Sequence, residues 1–406
     1  MSISAAWTIK QTENAAPLPP RGEQLAQEEQ EVTVETLLSV SPAPPDPSSA
    51  VALSFRNLSQ QRLGASSATK TSHSRREPGE LALSTPETES PETLFLTAQQ
   101  CLRGSFANIH RGEPFPIGPT AELARRIAVM MLTSALAQST DRENEEAASY
   151  YLLQQAVASP CSVVDVALHS VHVCLFAVKV GIGLGYSLTQ LTELALAALL
   201  HDVGMLQVPR TILEKPEKLT AEEYGVIKQH PLYGYEILKA VAAPWNWLAQ
   251  IALQEHEREK GQGYPQGLTG DKIHPYAKVI GLVDVFDALT HPRSYRKILP
   301  PFEAVRTIIR MRAEEFSLPI IKAMVEQLSF FPVQSWVQLN SGEIGKVEHI
   351  NRRSPLRPVV SIVYGPHKAA LPSPKVVNLE QDSVLYIVKS LAADEVAEVR
   401  DEAVRG

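Results

Sequence analysis

Cysteine is scarce in this chain. Three residues in 406, Cys101, Cys161 and Cys174, stand far apart without C-x-x-C spacing. That excludes a disulfide framework and a thiolate zinc knuckle, and it suits a reducing cytosol. A surplus of basic charge is also missing, since 38 Lys and Arg face 45 Asp and Glu for a net charge of -7. No general nucleic-acid partner is expected, because such binding rests on many phosphate-neutralising cations. The opening MSISAAWTIKQTENAAPLPP lacks the basic start and apolar run of a secretory signal. The most apolar stretch, VHVCLFAVKVGIGLGY, is broken by Lys179 and three glycines, short of the ~18 uninterrupted apolar residues of a membrane span. The expectation is a cytoplasmic protein without membrane insertion.

What is present changes character along the chain. Residues 1–91 hold ten of the 30 prolines, set among Ser, Thr and Glu, and such text buries too little apolar surface to offset chain entropy. It reads as a disordered tail. Residues 92–160 show apolar residues at three- and four-residue spacing in TLFLTAQQCL, TAELARRIAVMMLTSALAQ and ENEEAASYYLLQQAVA, which predicts a helical lead-in domain. Helical periodicity continues over 161–330. Over 331–392, β-branched runs such as RPVVSIVYG alternate with turn signals, predicting a small β module of four or five strands. A charged tail, 393–406, closes a mainly α chain.

Histidine carries the first functional signal. Seven of the 11 histidines, His169, His172, His201, His230, His256, His274 and His291, fall between 169 and 291. His201 and Asp202 follow the apolar helix LTELALAALL directly, so an imidazole and a carboxylate sit side by side at an anchored helix end. Mixed N/O donors of this kind suit borderline divalent metals such as Fe and Mn. His169 and Asp165, four apart, share a helix face.

Five motifs then occur in order: His201-Asp202, KPEKLTAEE at 215–223, HPLYGYEIL at 230–238, GYP at 263–265 and DVFDALT at 284–290. In this order they resemble the HD-GYP family, bacterial phosphodiesterases of the HD superfamily that hydrolyse cyclic di-GMP, over residues 165–330. The resemblance implies an HD-type helical bundle holding two or three divalent metal ions, Fe or Mn, and a cyclic dinucleotide substrate. Its metal positions match His169, His201, Asp202 as the bridging carboxylate, His230, Glu255, His256 and Asp284. Asp165 falls where three-metal members carry an acidic ligand, and otherwise reads as a charge at a helix N-terminus. The loop residues Gly263, Tyr264 and Pro265 match a turn that shapes the site and contacts partner proteins. Arg293 and Arg296 match positions facing substrate phosphates, a role suited to the planar guanidinium fork.

Several positions depart from the family pattern. Glu255-His256 stands where two histidines are usual; Met205 replaces a lysine that touches substrate phosphate; Lys260 replaces an aspartate before the GYP loop. These changes leave two expectations open, a slow phosphodiesterase or a cyclic di-GMP-responsive binding protein. Asp287 is expected to be solvated or to support a ligand, His172 to be a core or supporting histidine, and His274 and His291 to be exposed.

Overall fold

A computed structural model of the protein describes residues 89–405, apart from 114, 137–142, 242–244, 292–297, 313–314, 329–330, 332, 352–353, 355 and 392. Residues 1–88, nearly all of the expected tail, lie outside the described residues. Near the start of the described residues Ser90 caps helix α1 (Pro91–His110): its hydroxyl accepts from the Thr93 amide, and Pro91 occupies the first turn, where its missing N–H costs nothing.

Two further helices, α2 (Ile117–Leu136) and α3 (Glu143–Ala158), complete the lead-in. Next come α4 (Val166–Gly183) and α5 (Leu188–Leu200), the latter opened by a reciprocal capping box between Ser187 and Gln190. A short 3₁₀ turn (Val203–Gln207) leads to α6 (Arg210–Leu213), α7 (Ala221–Ile227), α8 (His230–Lys239) and α9 (Trp247–Gln254). The helical part ends with α10 (Pro275–Thr290), α11 (Pro301–Arg312) and α12 (Leu318–Gln327).

Helix α4 is apolar almost all round and long enough to cross a membrane, yet its residues are buried inside the protein. Helices α1, α3, α5, α10 and α12 pack about it, and α2 packs on α5. The lead-in helices therefore share one continuous apolar core with the helices that follow; Leu94 and Phe106 belong to the same cluster as Phe176, Leu199 and Val283. A helix buried on every side is what a uniformly hydrophobic stretch requires.

The β module is a five-stranded antiparallel sheet of order β4-β3-β2-β1-β5, made from β1 (Trp336–Leu339), β2 (Ile344–His349), β3 (Val359–Tyr364), β4 (Ala370–Asn378) and β5 (Ile387–Leu391). Val337, Val360 and Ile387 join the core of the helical domain. The charged stretch read as a tail forms α13 (Ala393–Arg405), whose Val399 packs with Ile344 and Tyr364.

Candidate metal centre

Five elements deliver side chains to one point. Helix α4 contributes His169 in its first turn; the end of α5 contributes His201 and Asp202; α8 opens with His230; the end of α9 gives Glu255 and His256; α10 carries Asp284. Two glycines permit the approach. A Cβ on Gly204 would lie 1.9 Å from the His230 carbonyl oxygen, so only glycine lets the 3₁₀ turn after Asp202 rest on the start of α8. On Gly263 it would lie 2.4 Å from both the His256 oxygen and Glu257 Cα, which brings the GYP loop against the end of α9.

Hydrogen bonds fix the ring orientations. His201 Nδ1 donates to the Ala198 carbonyl at 2.8 Å and His230 Nδ1 to the Ile227 carbonyl at 2.7 Å. A carbonyl can only accept, so each ring, when neutral, presents an Nε2 lone pair to the site. His169 Nδ1 lies 2.7 Å from Asp287 Oδ2, which sets its Nε2 in the same role. These lone pairs meet acceptors. His169 Nε2 is 3.2 Å from Asp284 Oδ1 and 3.6 Å from Asp202 Oδ2; His230 Nε2 is 3.1 Å from Asp202 Oδ1 and 3.4 Å from Glu255 Oε1; His201 Nε2 is 3.5 Å from Glu255 Oε2. His256 Nε2 adds a further contact, 3.0 Å from His230 Nε2. Groups crowded at these separations repel unless a proton or a metal ion lies between them.

The donor set fits a divalent metal. Both Glu255 oxygens and His201 Nε2 are buried without a hydrogen-bond partner, a costly arrangement that ligation would relieve. The ligand atoms fall into two groups, His169 with His201 and Asp202, and His230 with Glu255 and His256. Asp202 spans them, turning Oδ2 to His169 and Oδ1 to His230. Imidazole and carboxylate together suit Fe or Mn, and the absence of thiolate among the donors disfavours softer selection.

The same crowding shifts proton affinities. Burial works against a charged His230, yet the Asp202 and Glu255 carboxylates raise it to about 9. His169 is raised well above its usual value against the same burial, by Asp284 and Asp287. His256 is pushed down to about 4 by burial, with His230 adding to the effect. Asp284 lies well below the usual carboxylate range because His169 outweighs burial.

The loop beside the centre is tied down by residues that the motif reading passed over. Buried Glu257 accepts from the amides of Gln266 and Leu268 at 2.7 and 2.9 Å. Arg258 Nη1 donates to the carbonyls of Glu255 and Glu257, both at 2.9 Å. The only sequence signal for either was the density of charge in EHERE, which equally suits a solvated turn. Tyr264 stacks on His256 with ring centroids 4.7 Å apart, and Lys228 Nζ sits 5.2 Å from the Tyr264 ring centre. Pro265 follows Tyr264 through a cis peptide bond.

The expected residues thus divide. His169, His201, Asp202, His230, Glu255, His256 and Asp284 converge. Asp165 does not join them: its carboxylate caps α4 through the Leu168 amide and pairs with Arg103 at 2.8 Å. Lys260 is exposed, its backbone bridged to Thr269. Arg293 and Arg296 lie outside the described residues. Asp287 takes the second of its two expected roles: it is buried, with Oδ2 on His169 Nδ1. Two expectations need correction. His291 is buried as well, since the chain leaving α10 folds its ring back onto Asp287. His274 is half-buried and caps α10, its Nδ1 accepting from the Tyr276 amide.

Residues 131–317 match the HD domain, and residues 336–399 match the KOW domain associated with HD domain. The cyclic di-GMP phosphodiesterase PA4108 of Pseudomonas aeruginosa is 34% identical over 197 residues, 48% of this chain and 47% of that protein. A cyclic di-GMP phosphodiesterase of Thermotoga maritima is 35% identical over 159 residues, 39% of this chain and 43% of its own. A 3'3'-cGAMP-specific phosphodiesterase 3 of Vibrio cholerae is 38% identical over 132 residues, 32% and 28% of the two chains. Among solved structures there is a likeness to Bd1817, a HDG"Y"P protein from Bdellovibrio bacteriovorus, with a TM-score of 0.44 and 18% identity over 58% of this chain and 70% of that one. The protein has an HD domain followed by a KOW module. Over its HD domain it is similar to proteins of the HD-GYP family. The alignments span about half or less of the curated relatives named here.

Proposed function

We propose that the centre holds two divalent metal ions, Fe or Mn, and hydrolyses a phosphodiester bond of a cyclic dinucleotide, cyclic di-GMP foremost. The observation that carries this reading is the span of Asp202 between two groups of buried acceptors, each with imidazole and carboxylate donors. Metal bound there would supply Lewis acidity, lowering the pKa of a water toward neutrality and offsetting phosphoryl charge. The chain's own part is to orient. His201 and His230 are locked by backbone carbonyls, His169 by Asp287, and Asp202 and Asp284 are only partly buried, which leaves their carboxylates within reach of a substrate. Hydrolysis adds one water: a new P–O bond forms, the bond from phosphorus to the 3′-oxygen breaks, and that oxygen leaves with a proton. Activity on cyclic di-GMP is supported by the activities for which the relatives at 34% and 35% identity are named.

A second reading, a binding protein with little turnover, is favoured by one observation. Met205, standing where the family pattern has a phosphate-contacting lysine, is buried in the apolar core. Anaerobic purification with metal analysis, followed by chromatographic assay of cyclic di-GMP breakdown, decides between them. Metal together with linear dinucleotide or GMP product supports the enzyme; metal and cyclic di-GMP binding without product supports the binding protein; metal-free protein overturns both.

A further inference from the structure

On the Nδ1 side of His169 lies a second group of buried titratable side chains that the metal centre does not use. Asp287 Oδ2 meets His169. Its other oxygen, Oδ1, is 3.0 Å from His291 Nδ1 and 3.4 Å from His172 Nδ1. The two histidines come from distant parts of the chain, His172 one turn beyond His169 on α4 and His291 at the end of α10. Their rings face each other with centroids 4.8 Å apart and planes 28° from parallel. His172 is 0% exposed, Asp287 1% and His291 3%.

Such a cluster is expensive. Asp287 Oδ1, both nitrogens of His172 and Nε2 of His291 are buried without an aligned hydrogen-bond partner, and apolar side chains of similar volume would fill the space at lower cost. The three residues could be imagined as another metal site, but His291 Nδ1 lies 3.0 Å from the Asp287 carbonyl oxygen. That oxygen only accepts, so the nitrogen bears a proton and has no lone pair to give. What is left is one carboxylate set among three imidazoles. A carboxylate contacted at a single oxygen can swing about its Cβ–Cγ bond; contacts at both oxygens stop the swing, and the ring bonded to it then has one orientation.

The geometry points to His172 and His291 as positioning residues: they hold Oδ1 of Asp287 and, through that carboxylate, fix the His169 ring against Asp202 and Asp284. This rests on the reading of the cluster as a metal centre. Partners one step behind a ligand typically alter metal affinity by about 10- to 100-fold, and His172 and His291 act through one further group, so the lower end is the expected size.

The test is Mn(II) affinity of the full chain by chelator competition, with thermal unfolding followed alongside. His172→Leu is expected to weaken Mn(II) binding about 10-fold while the metal-free protein keeps its fold. His172→Asn, whose amide places an N–H close to the Nδ1 position, should restore most of the loss, which a purely space-filling role would not produce. In an Asp287→Asn background, His172→Leu should add nothing, because the route to His169 is already cut. Should His172→Leu fail to fold, His291→Leu against His291→Asn makes the same comparison. Wild-type Mn(II) affinity in the folded leucine variants would overturn the positioning role. So would equal losses in both backgrounds, or loss of a whole equivalent of metal with the rest bound as before, which would make these histidines ligands. A wild-type protein that binds no Mn(II) would overturn the metal-centre reading itself, and this inference with it.

Discussion

Gly204 lies directly against His230, closer than any side chain could: a Cβ there would fall 1.9 Å from the His230 carbonyl oxygen and 2.4 Å from the Gly234 amide nitrogen. Both contacts are backbone, so neither can yield by a change of rotamer. Gly204→Ala should push the 3₁₀ turn from α8, cost about 1–3 kcal/mol as overpacking does, and separate Asp202 from His230. Thermal unfolding and metal content of the purified variant check this. A variant with normal melting temperature and full metal would show that the turn has slack.

Glu255 presents both oxygens to imidazole nitrogens of His201 and His230. Glu255→Gln removes the charge with little change of shape, and metal affinity should fall at least about 10-fold, as loss of a charged donor exceeds the effect of an outer partner. The His230 imidazole should also titrate lower than about 9, because one of the carboxylates raising it is gone. NMR titration of the metal-free variant measures the second effect independently of the first.

Acidity should act on the metal-stripped protein from both sides. His230, raised to about 9 in the fold, gives stability that is complete below its unfolded value of about 6.5 and is lost as pH rises through 9. His256 and His274, pushed down to about 4, are protonated first in the unfolded chain, so stability also falls as pH drops from about 6.5 toward 4. The melting temperature of stripped protein should peak near neutral to slightly acid pH. Metal uptake at pH 7 should release protons, because His230 is charged there until metal replaces its proton. Calorimetry in buffers of different ionisation enthalpy detects the release; its absence would place His230 outside the ligand set.

Gly263 makes the other close approach, with a Cβ falling 2.4 Å from the His256 oxygen. Gly263→Ala should displace His256 and its stacked partner Tyr264, lowering hydrolysis more than stability because the strain falls on a site loop. The comparison is kcat against melting temperature. A loss confined to stability would mean that the loop's place does not govern the chemistry.

Much of the centre was legible through the resemblance to the HD-GYP family, carried by motifs such as His201-Asp202 after LTELALAALL and Asp284 within VIGLVDVF. For Asp287 and His172 the supporting role was one of two open alternatives, and for His291 it was not legible. Position i+3 from Asp284 says that Asp287 is a turn away, but which neighbour that face meets depends on α4, more than a hundred residues earlier. Asp165 shows the reverse case. Its spacing from His169 is right for a shared face, but the Leu168 amide, as the helix N-terminal reading allowed, and Arg103 on α1 claim the carboxylate; of the two, Arg103 is invisible to local spacing. The shared core of lead-in and HD helices escaped notice for a similar reason, since periodicity marks an apolar face without naming its partner.

Phe95 on α1 stacks nearly parallel to the His172 ring, 8° between planes with centroids 6.2 Å apart. From Phe95 the contacts run through His172 to Asp287 and then to His169, so three side chains link the first described helix to the centre. In a close-packed interior a shift of α1 has no empty volume to vanish into and must be passed on. Helix α1 is therefore mechanically in series with His169, and a displacement of that helix is passed on to the His169 ring.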